Sequence, residues 1–374
     1  MFRSALGVFI SLVAFSVAAP AASAQSSAAK TAKTAKTTKT AKKQVVKKTA
    51  VKSRKAIALK ASHPVVKTSM RGAVAHKRPP KSGYQRVAFA PSIPSTPPAP
   101  PVLTAGDIAG LNLTRDAVGL KSSAAVVIDQ VTSQVLFEKN AKVALPIASL
   151  TKLMTAVVVV EARQNMDEIL EVTSDDVDRE KNSSSRLRVG AHMTRANMLH
   201  IALMSSENRA ASALGRNYPG GLSAFVAAMN AKAKALGMAD TRFVDSTGLS
   251  SQNIASARDL SRLVVAAYQY PIIREYSTDP RYAVDTGTGH QLQYMNSNRL
   301  VMNPDWEIGL QKTGYISEAG RCLVMQTRID GRPVVMVFLD SKGKDSRLAD
   351  AGRIRKWLGN MRPQTVVQAS ANQS

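Results

Sequence analysis

The sequence is short of the residues on which several common catalytic chemistries rest. Its one cysteine, Cys322, permits no internal disulfide, and on an apolar stretch it reads as a buried thiol. The five histidines, His63, His76, His192, His200 and His290, include no His-Glu-x-x-His pair, so no metal site is expected. There is no Gly-x-Ser-x-Gly to complete a Ser-His-Asp triad, and His200, among apolar helix positions, is expected in the core. No cofactor motif stands out. Near the amino terminus no apolar run reaches the roughly 20 residues that span a bilayer. Acidic residues are absent from 25–101, a stretch holding 18 Lys or Arg.

Those absences set the reading of the first hundred residues. Arg3, a small and apolar run over 5–19, and Ala22-Ser23-Ala24 before Gln25 predict a secretory signal peptide over 1–24, cleaved near Ala24-Gln25. Residues 25–101 open with Lys-Thr-Ala near-repeats and close with six prolines between Pro91 and Pro101. Such a segment has too little apolar surface to offset its ordering entropy, so it is predicted to be disordered and extended by self-repulsion. Removing its 18 charges and Arg3 from the formal +25 leaves +6 for residues 102–374, so the remainder is only mildly basic. Export, and Tyr84 as the single aromatic between residues 25 and 88, argue against specific nucleic-acid binding, which would need stacking platforms for bases. The expected role is a solvated tether, with weak contact to anionic envelope polymers or a membrane surface.

A folded domain is expected over 102–360, followed by a polar tail over 361–374. The apolar stretches over 124–129 and 134–137 read as a hairpin of two strands. Residues 171–192 read as a surface connection with a strand near 187–189. Thr194 caps a helix, a second starts at Arg209, and a third runs over 222–236 to Gly237. Ser256, with Asp259 three residues on, predicts a capping box opening a helix that stops before Pro271. Three strands follow, over 308–313, 322–329 and 334–339, the last two joined at Asp330-Gly331, and a helix over 346–357 closes the domain. Strands at both ends and helices between predict an α/β (α+β) architecture: one five-stranded antiparallel sheet flanked by helices, and a helical lobe with a cleft beside it.

Three short motifs carry the chemistry. Ser149-Leu150-Thr151-Lys152 opens an apolar helix, and at 3.6 residues per turn it puts a hydroxyl and an amine on one face. A serine needs a base, and a lysine serves as one only when burial or a neighbouring cation lowers its pKa. By itself the spacing is weak, since Ser27-Ala28-Ala29-Lys30 and Ser341-Lys342-Gly343-Lys344 share it; such pairs can merely cap and solvate a helix. Ser206-Glu207-Asn208 comes second along the chain and lies between helices, and Lys312-Thr313-Gly314-Tyr315 comes third, on a strand. Lys312 would supply the second cation, Thr313 a hydroxyl donor, and Gly314 a place for close backbone approach.

In this order and setting, the trio resembles that of the penicillin-binding proteins and class A β-lactamases. Residues 148–155, 203–211, 231–243 and 321–325 further resemble the low-molecular-mass D,D-peptidases of the S11 class, most of all their D-alanyl-D-alanine endopeptidase branch, the penicillin-binding protein seven type. The resemblance implies the transpeptidase-like fold of that superfamily, a periplasmic location, and peptidoglycan peptide stems and cross-links as substrate, with β-lactams as covalent inhibitors. It implies Ser149 as nucleophile, Lys152 as its base and Ser206 as proton relay to the leaving amine. Asn208 would hold the substrate backbone, while Lys312 and Thr313 would lower the pKa of Lys152 and grip the substrate near its carboxylate. The N–H groups of Ser149 and Tyr315 would form the oxyanion hole. None of Glu161, Glu168 and Glu171 occupies the deacylating position of class A β-lactamases, so a penicillin acyl-enzyme should turn over slowly. The stretch after Gly314 is too short for the carboxy-terminal β domain and anchoring helix of the best-known carboxypeptidases; endopeptidase action is therefore expected over carboxypeptidase action. A module of the same fold that binds wall peptides or senses β-lactams without catalysis is the competing class.

Overall fold

A computed structural model of the chain describes residues 102–289 and 291–361. The signal segment, the basic arm, the polar tail from 362, and His63, His76 and His290 lie outside the described residues. A short helix α1 (Ala105–Ile108) leads to β1 (Ser122–Asp129), β2 (Val135–Lys139) and β3 (Leu145–Pro146). The helix α2 (Thr151–Glu161) is followed by β4 (Ile169–Glu171), β5 (His192–Thr194), α3 (Arg195–Met204), α4 (Asn208–Arg216) and α5 (Gly221–Ala235). Then come β6 (Ile254–Ala255), α6 (Ala257–Ala267), α7 (Pro271–Thr278), β7 (Arg281–Asp285) and β8 (Gln291–Met295). The carboxy-terminal part is β9 (Glu307–Ile316), β10 (Gly320–Ile329), β11 (Arg332–Ser341) and α8 (Ser346–Asn360).

Five strands form the principal sheet in the order β2-β1-β11-β10-β9, with every neighbouring pair antiparallel, as the strand pattern predicts. The first strand therefore lies against the last, with Ala125 opposite Phe338 and Val127 opposite Met336. Side chains alternate across a strand, and here both faces are covered. Ala124, Val126 and Ile128 join Val324, Val335 and Val337 in the large core shared with α2, α3 and α6. Ala125, Val127, Leu323, Met325, Met336 and Phe338 pack with Leu348, Ala351 and Ile354 of α8 on the other face. Burial on both faces explains why β1 reads as a continuous apolar run and not an alternating one.

Three local expectations need correction. Residues 187–189 form no strand: the carbonyl of Leu187 is taken by the Arg209 guanidinium, 2.6 Å away, and the strand pair in this region is β4 with β5. The middle of the chain is not wholly helical, because β7 and β8 form a hairpin. As expected, α6 stops at Ala267 before Pro271, which itself sits at the first turn of α7, where its missing N–H costs nothing. At α6 the Ser256 hydroxyl accepts from the Asp259 N–H, but the Asp259 carboxylate turns away to the Asp240 N–H, the Thr241 hydroxyl and Arg262, so the reciprocal half of the box is not made. Cys322 is fully buried, and burial pushes its thiol up to about 12. His200 is likewise a core residue, between the rings of Tyr276 and Tyr282 at centroid distances of 4.2 and 3.9 Å.

Candidate active site

Ser149 stands on a single turn of tight helix, 148–150, immediately before α2. The residue before it, Ala148, has φ of 49°, a left-handed conformation that costs an alanine about 1–2 kcal/mol. The strain is held by packing from outside the motif. Gly248 lies so close that a Cβ there would meet the Ala148 carbonyl oxygen at 2.0 Å and the Thr151 hydroxyl at 2.8 Å, and its own φ is +82°. Asn253, fully buried, donates to the Thr151 hydroxyl and accepts from the Val244 N–H, fixing the 244–248 turn beneath the serine. Gly248→Ala is expected to cost about 3 kcal/mol in denaturant unfolding and to slow acylation by displacing Ser149; wild-type stability in that variant would show that the turn yields.

Lys152 is buried with 1% exposure and its ammonium makes three contacts: the Ser149 hydroxyl at 3.0 Å, the Asn208 side-chain oxygen at 2.7 Å and the Thr247 carbonyl at 2.6 Å. Burial drives its pKa down to about 8, while the carboxylates of Asp245 and Glu207 pull the other way. This corrects the expected cause, since loss of water lowers Lys152. The cation–cation repulsion is felt at Lys312, whose pKa falls well below the usual lysine value through burial first, then through the charge of Lys152. The two amines do crowd one site.

Lys312, on the edge strand β9, is fully buried and donates to the Ser206 hydroxyl at 2.9 Å and to the Thr313 carbonyl at 2.8 Å. Ser206 also takes a left-handed backbone, φ 67°, between α3 and α4. The predicted residues thus assemble as two linked pairs, Ser149 with Lys152 and Ser206 with Lys312, joined through the 206–208 segment. Gly314 lets β9 close on Ser149: a Cβ there would lie 3.1 Å from the Ser149 backbone nitrogen and 3.0 Å from the Ile147 carbonyl. The Thr313 hydroxyl donates to the Ser297 hydroxyl at 2.7 Å. Tyr315 is 57% exposed, with the Arg321 guanidinium 4.5 Å over its ring.

Asn208 departs from expectation. Its oxygen holds Lys152, and its amide N–H donates to the Ser183 hydroxyl at 2.9 Å, so it orients the Lys152 ammonium. Sequence reasoning missed Ser183, Glu207, Asp245, Thr247 and Ser297. Asp245-Ser246-Thr247-Gly248 carries a turn signal, and the Asp245 carboxylate does accept from the N–H groups of Thr247 and Gly248. Nothing in its linear pattern says that the Thr247 carbonyl faces a lysine 95 residues earlier. Of the three glutamates weighed as deacylation candidates, the carboxylates of Glu161 and Glu168 are engaged elsewhere, with Lys232 and Tyr270 and with Arg195, while Glu171 is exposed on β4 and bonds Arg216 only through its backbone carbonyl.

The sequence model of the peptidase S11 family, described as D-alanyl-D-alanine carboxypeptidase, matches residues 112–343. The chain belongs to the S11 peptidases. Like other S11 members it is a serine-type hydrolase of the D-Ala-D-Ala peptidase group. It is 49% identical over 251 residues to a D-alanyl-D-alanine endopeptidase of Pseudomonas aeruginosa, covering 67% of this chain and 80% of the relative. A D-alanyl-D-alanine endopeptidase of Escherichia coli is 45% identical over 240 residues, covering 64% and 77%. Among solved structures the Streptomyces K15 DD-transpeptidase superposes with a TM-score of 0.60 at 26% identity, covering 65% of this chain and 98% of that one. The S11 fold of this chain is thus the transpeptidase-like one that the trio implied.

Proposed function

We propose that this S11 peptidase cleaves D-alanyl cross-links of peptidoglycan as an endopeptidase, by way of a Ser149 acyl-enzyme, after export to the periplasm. The observation that carries the chemistry is the 3.0 Å contact between the Ser149 hydroxyl and a buried amine whose pKa is about 8. In its neutral form Lys152 takes the Ser149 proton as the serine oxygen bonds to the D-alanyl carbonyl carbon. The resulting oxyanion faces the backbone N–H groups of Ser149 and Tyr315, an arrangement supported by the close approach of Gly314 to the Ser149 nitrogen. Collapse breaks the carbon–nitrogen bond, and the proton held by Lys152 passes to the leaving amine through the Ser206 hydroxyl. Water then attacks the ester, returns a proton to Ser149 and releases the acyl peptide. Lys312 and Thr313 hold the substrate's carboxylate side, and Lys312 keeps Ser206 in place.

The assignment to cross-links rests on the two endopeptidases at 49% and 45% identity. Digesting purified cross-linked muropeptides tests it. Dimers are expected to disappear without release of free D-alanine, whereas D-alanine freed from monomeric pentapeptide would assign the enzyme to carboxypeptidase action. The same chemistry makes β-lactams covalent inhibitors. With the carboxylates of Glu161 and Glu168 engaged elsewhere and Glu171 exposed on β4, their acyl-enzymes are expected to be long-lived. The basic arm over 25–101 is proposed as a tether that holds the domain near anionic envelope polymers.

A further inference from the structure

A second cavity, of about 470 Å³, lies between the 183–191 loop and the β7–β8 hairpin, lined by Ser185, Arg186, Arg188, Thr288, Gln291 and Leu292. Its charge is out of balance. Neither Arg186 nor Arg188 has a carboxylate partner among the described residues, and no acidic side chain lines the cavity. The Arg186 guanidinium lies 4.0 Å over the ring of Tyr294 and donates to the Gln293 carbonyl, which fixes its plane, while Arg188 is exposed and makes no such contact. Two guanidinium forks with hydroxyl and amide neighbours suit a carboxylate better than a point charge would.

The cavity is tied to the reaction centre by the loop that walls it. Ser183 binds Asn208 at 2.9 Å, and Ser185 donates to Glu207 at 2.5 Å, in the middle of the Ser206-Glu207-Asn208 motif. The loop that touches Asn208 and Glu207 through Ser183 and Ser185 thus also lines the cavity through Ser185, Arg186 and Arg188, and offers a peptide stem bound at Ser149 a neighbouring wall for a side carboxylate. We propose that this cavity is a specificity subsite for a carboxylate carried by the peptide stem, with Arg188 as its principal contact; this rests on the peptidoglycan reading above.

Kinetics with muropeptide dimers bearing free or chemically amidated carboxylates, on the wild-type enzyme and Arg188→Glu, test the subsite. Arg186 is left intact because it supports Tyr294, which reaches Glu207. Arg188→Glu is expected to raise KM for the free-acid dimer about tenfold or more, with kcat little changed, and amidation is expected to cost the wild type a similar factor while costing the variant little. Acylation by a small penicillin, which does not extend to the cavity, should stay within about twofold. Equal kcat/KM of the wild type for the two dimers would overturn the subsite, whatever the variant does. So would an Arg188→Glu loss that affects penicillin and dimer alike, since that marks a disturbed loop. If the wild type cleaves neither dimer, the endopeptidase reading fails instead, and the subsite is then judged by titrating Ser149→Ala with free and amidated stem peptides: tighter binding of the free acid sustains it, and equal binding removes it.

Discussion

Ser149→Ala is expected to abolish covalent labelling by a fluorescent penicillin and to lower muropeptide cleavage by at least about 10⁴-fold. No other group can substitute. Glu207 is engaged with Ser185, Tyr294 and the Arg209 N–H, and the Ser206 hydroxyl is held by Lys312. The variant should remain folded, because the lost hydroxyl contacts Lys152 alone, and that amine keeps Asn208 and Thr247 as acceptors. Thermal unfolding near the wild-type temperature, together with lost labelling, is the expected pair of results. Labelling that persists in this variant would move the acylation from Ser149 to another nucleophile, whereas no labelling of either protein would return the chain to the class of non-catalytic binders.

Lys152→Ala carries the second largest effect. A positioned general base contributes about 10²–10⁴-fold, so penicillin acylation should fall by about 10³-fold. The pH dependence follows from the same residue. The base is competent when neutral, and burial lowers its pKa to about 8. Acylation should therefore rise with pH, level off above about 8, and at pH 6 run about 100-fold below its plateau. The variant should lose that ascending limb as well as the rate. A wild-type profile flat from pH 6 to 9 would show that another group takes the serine proton. Removing Lys152 also strips the Asn208 oxygen and the Thr247 carbonyl of a donor, so a stability loss of about 1–3 kcal/mol is expected alongside.

Much of this was legible in the linear chain, and the reasons differ by residue. The nearness of Ser149 and Lys152 was legible from helical pitch, although Ser149 itself stands on the tight turn before α2. The five-stranded sheet was legible because its strands are apolar runs ended by turn signals such as Asp330-Gly331. The β7–β8 hairpin was not, because only Val284 and Tyr294 along its two strands are buried, too few to mark a period against a polar background. The 183–191 loop looked like surface chain because its residues are largely serine and arginine; the hydroxyls of Ser183 and Ser185 bind Asn208 and Glu207, partners set by tertiary packing. The cause of the lowered Lys152 pKa was misjudged for a similar reason. Residue types announce nearby charge, whereas exclusion of water depends on how tightly the 244–248 turn packs.

The pairing of β1 with β11 has a consequence for when the enzyme becomes active. An amino-terminal segment synthesised early must wait for nearly all of the domain to be made before its hydrogen-bonding neighbour exists, and the strand bearing Lys312 is anchored to that late neighbour through β10. A nascent or truncated chain ending before residue 332 has no common support for β1 and β10. Cutting power against the wall thus arrives only with the finished polypeptide, a timing safeguard written into topology.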